Sequence, residues 1–94
     1  MTRYEWDENK NQSNISDHGF DFETGQQVFN DPFVAIFVEG VKDGEERWHA
    51  IGIVEKIMLI VVVHTYRYDG TDEVIRIISC RRATRNERKL YENV

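Results

Sequence analysis

From residue 33 onward, apolar residues come in short blocks separated by charged or glycine-containing turns. Residues 33–39 and 47–54 read as strands around a charged turn, 40–46, that holds two glycines. A tight turn near Glu55-Lys56 precedes residues 57–68, the most Ile/Val-rich and β-prone stretch. The loop Asp69-Gly70-Thr71-Asp72 leads to a fourth strand, 74–80. Connections this short predict an antiparallel meander. Residues 57–63 are apolar at every position, so that strand is expected to be central and covered on both faces.

The N-terminal part has a different pattern. Residues 3–6 are short and compatible with an edge strand. Asp7 fits a helix N-cap, with Glu8 in the first turn where the helix dipole favours an acid. The polar stretch 7–18 is helix-compatible, and Gly19 is placed to stop it. Lys10, Asn14 and His18 share one face at i, i+4, i+8. Asp21 can cap a second helix over 22–29, ended by Asn30-Asp31-Pro32 and weakened at Gly25 by about 1 kcal/mol relative to alanine. At the other end, Thr84 and Glu87 form a T-x-x-E capping box that opens a helix running to Val94. Ala83, Leu90, Tyr91 and Val94 make its apolar stripe, with Arg85, Arg88 and Lys89 outside it. The expected architecture is α+β: a single twisted antiparallel sheet with two N-terminal helices and one C-terminal helix, in one domain over residues 1–94.

Charge changes this picture by marking one end. The chain carries −5, yet residues 1–46 hold three Lys/Arg against eleven Asp/Glu, while 47–94 hold nine against six. Residues 74–91 alone hold six Lys/Arg and one acid, Glu87. Such clustering points to an anion: RNA phosphate or an acidic protein partner. The lone Cys80 cannot form an internal disulfide and reads as a small buried hydrophobe. There is no signal-peptide pattern and no apolar run near the roughly 18 residues of a membrane span, so a cytoplasmic protein is expected, with no membrane contact.

Among chemistry-bearing motifs, the sequence has no Gly-rich phosphate loop, no Cys/His pair at zinc spacing and no nucleophile elbow; no metal or cofactor is expected. Arginines and histidines remain. RNA phosphodiesters can be cleaved by such groups: a base takes the 2′-hydroxyl proton, an acid protonates the leaving oxygen, and arginines hold the phosphate. His64 ends the apolar strand and is the first choice for proton transfer, although alternation puts His64 and Tyr66 on one face and Thr65 and Arg67 on the other. Arg76 alternates with Val74, Ile78 and Cys80, and must meet a carboxylate, a polar network or solvent. Arg47 starts a strand and can reach the same cleft; Trp48 faces the other way. The Lys10/Asn14/His18 face either binds RNA or docks its helix on the sheet. Trp6 and Trp48 read as core.

These motifs resemble the BrnT family of toxins from type II toxin–antitoxin modules. The resemblance rests on Trp6-Asp7, Lys10, Asn14, His18-Gly19, Phe22-Glu23, Val28-Phe29, Asp31-Pro32, Gly44-Glu45-Glu46-Arg47, Ile51-Gly52, residues 62–65, Arg67, Arg76-Ile77-Ile78-Ser79, Arg81-Arg82-Ala83, Glu87-Arg88 and Tyr91, in order and nearly end to end. It implies a RelE-like fold and a metal-independent endoribonuclease that cleaves RNA and arrests translation until a cognate antitoxin binds. That antitoxin would be BrnA-like, with a ribbon-helix-helix part through which alone the complex touches operator DNA. On this resemblance Arg47, Arg67, Arg76 and Arg81 would clamp phosphate, with Arg76 and Arg81 the stronger candidates. Lys10, His18, Arg82, Arg85 and Arg88 would contact RNA, and the helix residues Arg85 and Arg88 either RNA flanks or an acidic antitoxin. The chain departs from the family pattern at Asp17, where Lys is common, at Cys80, where Ala is common, and at Gly25, where a helix former is usual. The alternatives are a non-catalytic antitoxin-binding module and a direct nucleic-acid binder.

Overall fold

A computed structural model describes residues 1–93; Val94, the expected end of the last helix, lies outside them. The elements are β1 (Thr2–Glu5), α1 (Glu8–His18), α2 (Phe22–Gln26), a 3-10 helix (Gln27–Asn30), β2 (Ala35–Lys42), β3 (Glu45–Val54), β4 (Met58–Asp69), β5 (Asp72–Arg82) and α3 (Arg85–Glu92). They form one five-stranded sheet ordered β1-β5-β4-β3-β2. The meander β2 to β5 is antiparallel, with β4 central. The expectation of a wholly antiparallel sheet is corrected at one edge. β1 pairs parallel with β5, Thr2 opposite Glu73 and Glu5 opposite Arg76. This contact spans most of the chain, and no local turn signal announces it.

Local chemistry explains most boundaries. The Asp7 carboxylate accepts the Asn9 and Lys10 N–H groups, and Gly19 closes α1 at φ +80°. The capping box of α3 is present in both directions between Thr84 and Glu87. The expected helix 22–29 divides into α2 and the 3-10 helix. The expected charged turn 40–46 is mostly strand: only Asp43 and Gly44 turn, both at positive φ, as in a two-residue hairpin.

Two cores flank the sheet. α1, α2 and the 3-10 helix cover one face, where Phe20, Phe22, Val28, Ala50, Ile60, Val62, Ile77 and Cys80 are buried. The other face has a smaller core of Ala35, Ile51, Leu59 and Val61, with Phe37, Ala83 and Tyr91 packed against it. That second core sits at the β2–β3 end, where α3 lies. The rest of this face is left open.

Side chains close both sheet edges where the edge strands stop short. β1 covers β5 only as far as Arg76. Beyond it the Asn14 amide accepts the Cys80 N–H at 3.1 Å and donates to the Cys80 carbonyl at 2.7 Å, substituting for a strand neighbour. It also donates to the Phe20 carbonyl at 2.8 Å. At the opposite edge Asp31 accepts the Ile53 N–H at 2.8 Å and the Tyr91 hydroxyl at 2.6 Å.

Candidate active site

The open face carries the arginines. Alternation along β3, β4 and β5 puts Arg47, Thr65, Arg67 and Arg76 there, and the register lines them up. Thr65 pairs with Arg76, and Arg76 pairs with Glu5 of β1. Arg47 lies one residue beyond the Trp48–His64 pair, where the β3–β4 ladder ends, and pairs with Gly40 of β2. Glu5, Arg76 and Thr65 therefore form a row across three strands, with Arg47 on the next strand over. Arg47 and Arg76 stand two strand spacings apart, about 10 Å between backbones. Arg3 and Arg67 flank Val74 in the next row.

Most of these cations are already engaged. Arg67 is ion-paired with Glu5. Arg3 pairs with Asp69 at 2.7 Å and Asp72 at 3.6 Å. Arg81 grips Glu87 through two hydrogen bonds of 2.7 and 2.9 Å, and the Glu87 carboxyl is held down at about 2, mainly by that guanidinium. Among the described residues, Arg47 and Arg76 have no carboxylate within 4.0 Å. The Arg47 Nε is buried and makes no hydrogen bond. Arg47 lines a groove of about 350 Å³ with Glu39, Gly40, Val41 and Lys42.

His64 is not part of this face. It is fully buried on the helix-covered side, opposite the arginines, with edge-on ring contacts to Phe29 at 4.9 Å and Tyr66 at 4.8 Å. Its Nδ1 meets the Val62 carbonyl at 3.1 Å, and burial pushes its pKa down to about 4. The two-residue period of the strand is the reason: Thr65 and Arg67 point one way, His64 and Tyr66 the other. In β5 the expected alternation of Arg76 with Ile78 and Cys80 is broken by a bulge. Register slips between Val63 and His64, leaving Ile78 as an extra residue. Arg76 and Cys80 therefore lie on opposite faces, and Cys80 joins the helix-side core.

The remaining expected positions are dispersed. Lys10 and His18 are exposed on α1 around the buried Asn14, which docks the helix. Arg82 stacks over the Phe20 ring at 5.5 Å, on the helix side. Arg85 and Arg88 are exposed on α3. No cluster of three or more His, Cys, Asp or Glu suited to a metal ion occurs among the described residues. Sequence reasoning missed His49, which sits on the arginine face with its side chain 12% exposed, between Glu39 at 3.4 Å and Glu87 at 3.8 Å. The signal was available: Arg47 and His49 are two apart in one strand, so they share a face.

The chain is similar to known proteins in sequence and in fold. The family model described as "Ribonuclease toxin, BrnT, of type II toxin-antitoxin system" matches residues 6–87. The 1.1 Å crystal structure of the Brucella abortus ribonuclease toxin, BrnT, is 28% identical, with a TM-score of 0.62 over 90% of this chain and 99% of that one. No curated protein matches. With the family model matched from Trp6 through Glu87, which spans α1 to β5 and the start of α3, the chain belongs to the BrnT ribonuclease toxins of type II toxin–antitoxin systems.

Proposed function

We propose that this chain is an endoribonuclease that cuts RNA on the open sheet face without needing a metal, and so inhibits translation. The observation that carries the reading is that Arg47 and Arg76, on one face of β3 and β5, have no ion pair among the described residues. A guanidinium stays charged at any working pH and holds a phosphate through two parallel hydrogen bonds. Two of them about 10 Å apart can grip one phosphodiester from either side and stabilise the charge that builds on phosphorus during attack. Arg67, with its exposed ion pair to Glu5, can exchange that carboxylate for a second phosphate at little cost. Arg81 serves indirectly, because its guanidinium is committed to Glu87. Lys10, His18, Arg82, Arg85 and Arg88 are exposed side chains for RNA flanks, with Arg85 and Arg88 on α3 also open to an acidic antitoxin.

The partner in this reading is a BrnA-like ribbon-helix-helix antitoxin, and operator DNA is touched only through it. Edge strand β2 and its approach support a protein partner: Phe33, Ile36, Val38 and Val41 are all exposed apolar residues there. The reading places the toxin in the cytoplasm, where its substrate is.

The test is RNA cleavage by purified protein in EDTA, with Arg47→Ala and Arg76→Ala alongside. Each substitution is expected to slow cleavage by about a hundredfold or more while leaving the thermal midpoint nearly unchanged. No cleavage above background at any ratio of wild-type protein to RNA refutes the reading. Growth arrest on induction, relieved by the neighbouring antitoxin, is the expected result in cells.

A further inference from the structure

We infer that His49 is the proton-transfer residue of this ribonuclease site, taking the 2′-hydroxyl proton as that oxygen attacks phosphorus. The inference rests on the ribonuclease reading above. His49 follows Arg47 on the same face of β3, one two-residue step or about 7 Å along the strand. A phosphodiester held between Arg47 and Arg76 therefore lies within side-chain reach of the ring.

The surroundings of the ring resemble a nucleophile–histidine–carboxylate relay. Nδ1 faces Glu87 from α3 at 3.8 Å, and Nε2 faces Glu39 from β2 at 3.4 Å. Glu87 is fixed in place. Its two oxygens take the Arg81 guanidinium from β5, and one also accepts the Thr84 N–H at 2.9 Å. It can therefore orient the imidazole and balance the positive charge that forms on it, as the buried carboxylate does in a serine-protease triad. Glu39 is half-exposed, so it can swing aside and release Nε2 to a substrate hydroxyl. The Phe37 ring, 5.3 Å away, holds the imidazole from the β2 side. Neither ring nitrogen makes a hydrogen bond within the protein, although both are buried. Unused donors and acceptors of this kind are rare in a folded interior and ask for a function. His64 also has a free Nε2, but on the wrong face.

The step balances without a further reagent. The O2′–P bond forms as the 2′-hydroxyl proton passes to Nε2. The P–O5′ bond breaks, and O5′ takes a proton from solvent. His49 then returns its proton to solvent. The products are a 2′,3′-cyclic phosphate and a 5′-hydroxyl end.

Single-turnover RNA cleavage by wild type and His49→Gln, from pH 5 to 9, tests this. The expected result is a loss of at least a hundredfold at neutral pH and disappearance of a histidine limb from the profile. Affinity for an uncleavable 2′-deoxy oligonucleotide should stay within about threefold. Wild-type cleavage with an unchanged rate and profile in His49→Gln overturns the assignment and leaves the ribonuclease reading standing. No wild-type cleavage overturns both. If His49→Gln does not fold, NMR of the wild-type histidines decides. Adding the 2′-deoxy oligonucleotide should move the His49 ring signals and not those of His64; the reverse pattern overturns the assignment.

Discussion

A methyl group added at Gly25 would stand 2.9 Å from the Cys80 Sγ, 3.3 Å from the Cys80 Cβ and 3.4 Å from a Val62 methyl. Gly25 and Cys80 are both positions where this chain departs from the pattern that the BrnT resemblance implies, and they touch. The small residue on α2 makes room for the larger one on β5. Gly25→Ala alone should gain about 1 kcal/mol of helix propensity and lose about 1–3 kcal/mol to overpacking, since Cys80 is fully buried and has nowhere to turn. Cys80→Ala alone should cost about 1 kcal/mol, the loss of one buried heavy atom with partial collapse. In the double variant the new methyl occupies the space the sulfur left, and the propensity gain remains. The double variant should thus be at least as stable as wild type, with a favourable coupling of about 1–3 kcal/mol. Urea denaturation of the four proteins measures this directly. If the two single effects add to within about 0.5 kcal/mol, the two departures are unrelated and the reasoning fails.

Other outcomes follow from the same contacts. Asn14→Leu should destabilise by about 2–4 kcal/mol in thermal or urea unfolding, because it strands buried groups of Phe20 and Cys80; Lys10→Ala and His18→Ala, at exposed sites, should stay within about 0.5 kcal/mol. Gly52→Ala should cost about 1–3 kcal/mol, since the new Cβ meets the Val28 carbonyl at 2.8 Å and backbone must move. Glu87 has its carboxyl held at about 2 against an ordinary 4.5, so its stabilisation is complete above pH 4.5 and is lost as pH falls toward 2. After discounting for partial exposure, Glu87→Gln should cost about 1–2 kcal/mol at pH 7, and urea curves of the two proteins should converge near pH 2.

The elements were legible in the sequence where their causes are local. The Asp7 and Thr84 caps, the Gly19 stop, the Glu55-Lys56 turn and the central position of the 57–63 block each follow from a few adjacent residues. Alternation also gave the faces of β3 and β4 correctly, including the conflict between His64 and Arg67. What alternation could not supply was register between distant segments. The parallel β1–β5 pairing joins residues about seventy apart, and one extra residue at Ile78 moves Cys80 to the face opposite Arg76. The site depends on the same long-range facts. Every arginine of the basic half looks alike in sequence, but Glu5, 62 positions away, claims Arg67, while Glu87 claims Arg81 through a capping box only six residues on. Arg47 and Arg76 become the available pair because register brings no acid to them, apart from Glu5, which Arg67 already holds. Counting charges identified a basic region, but only the pairing of strands decides which of its cations are left for a phosphate.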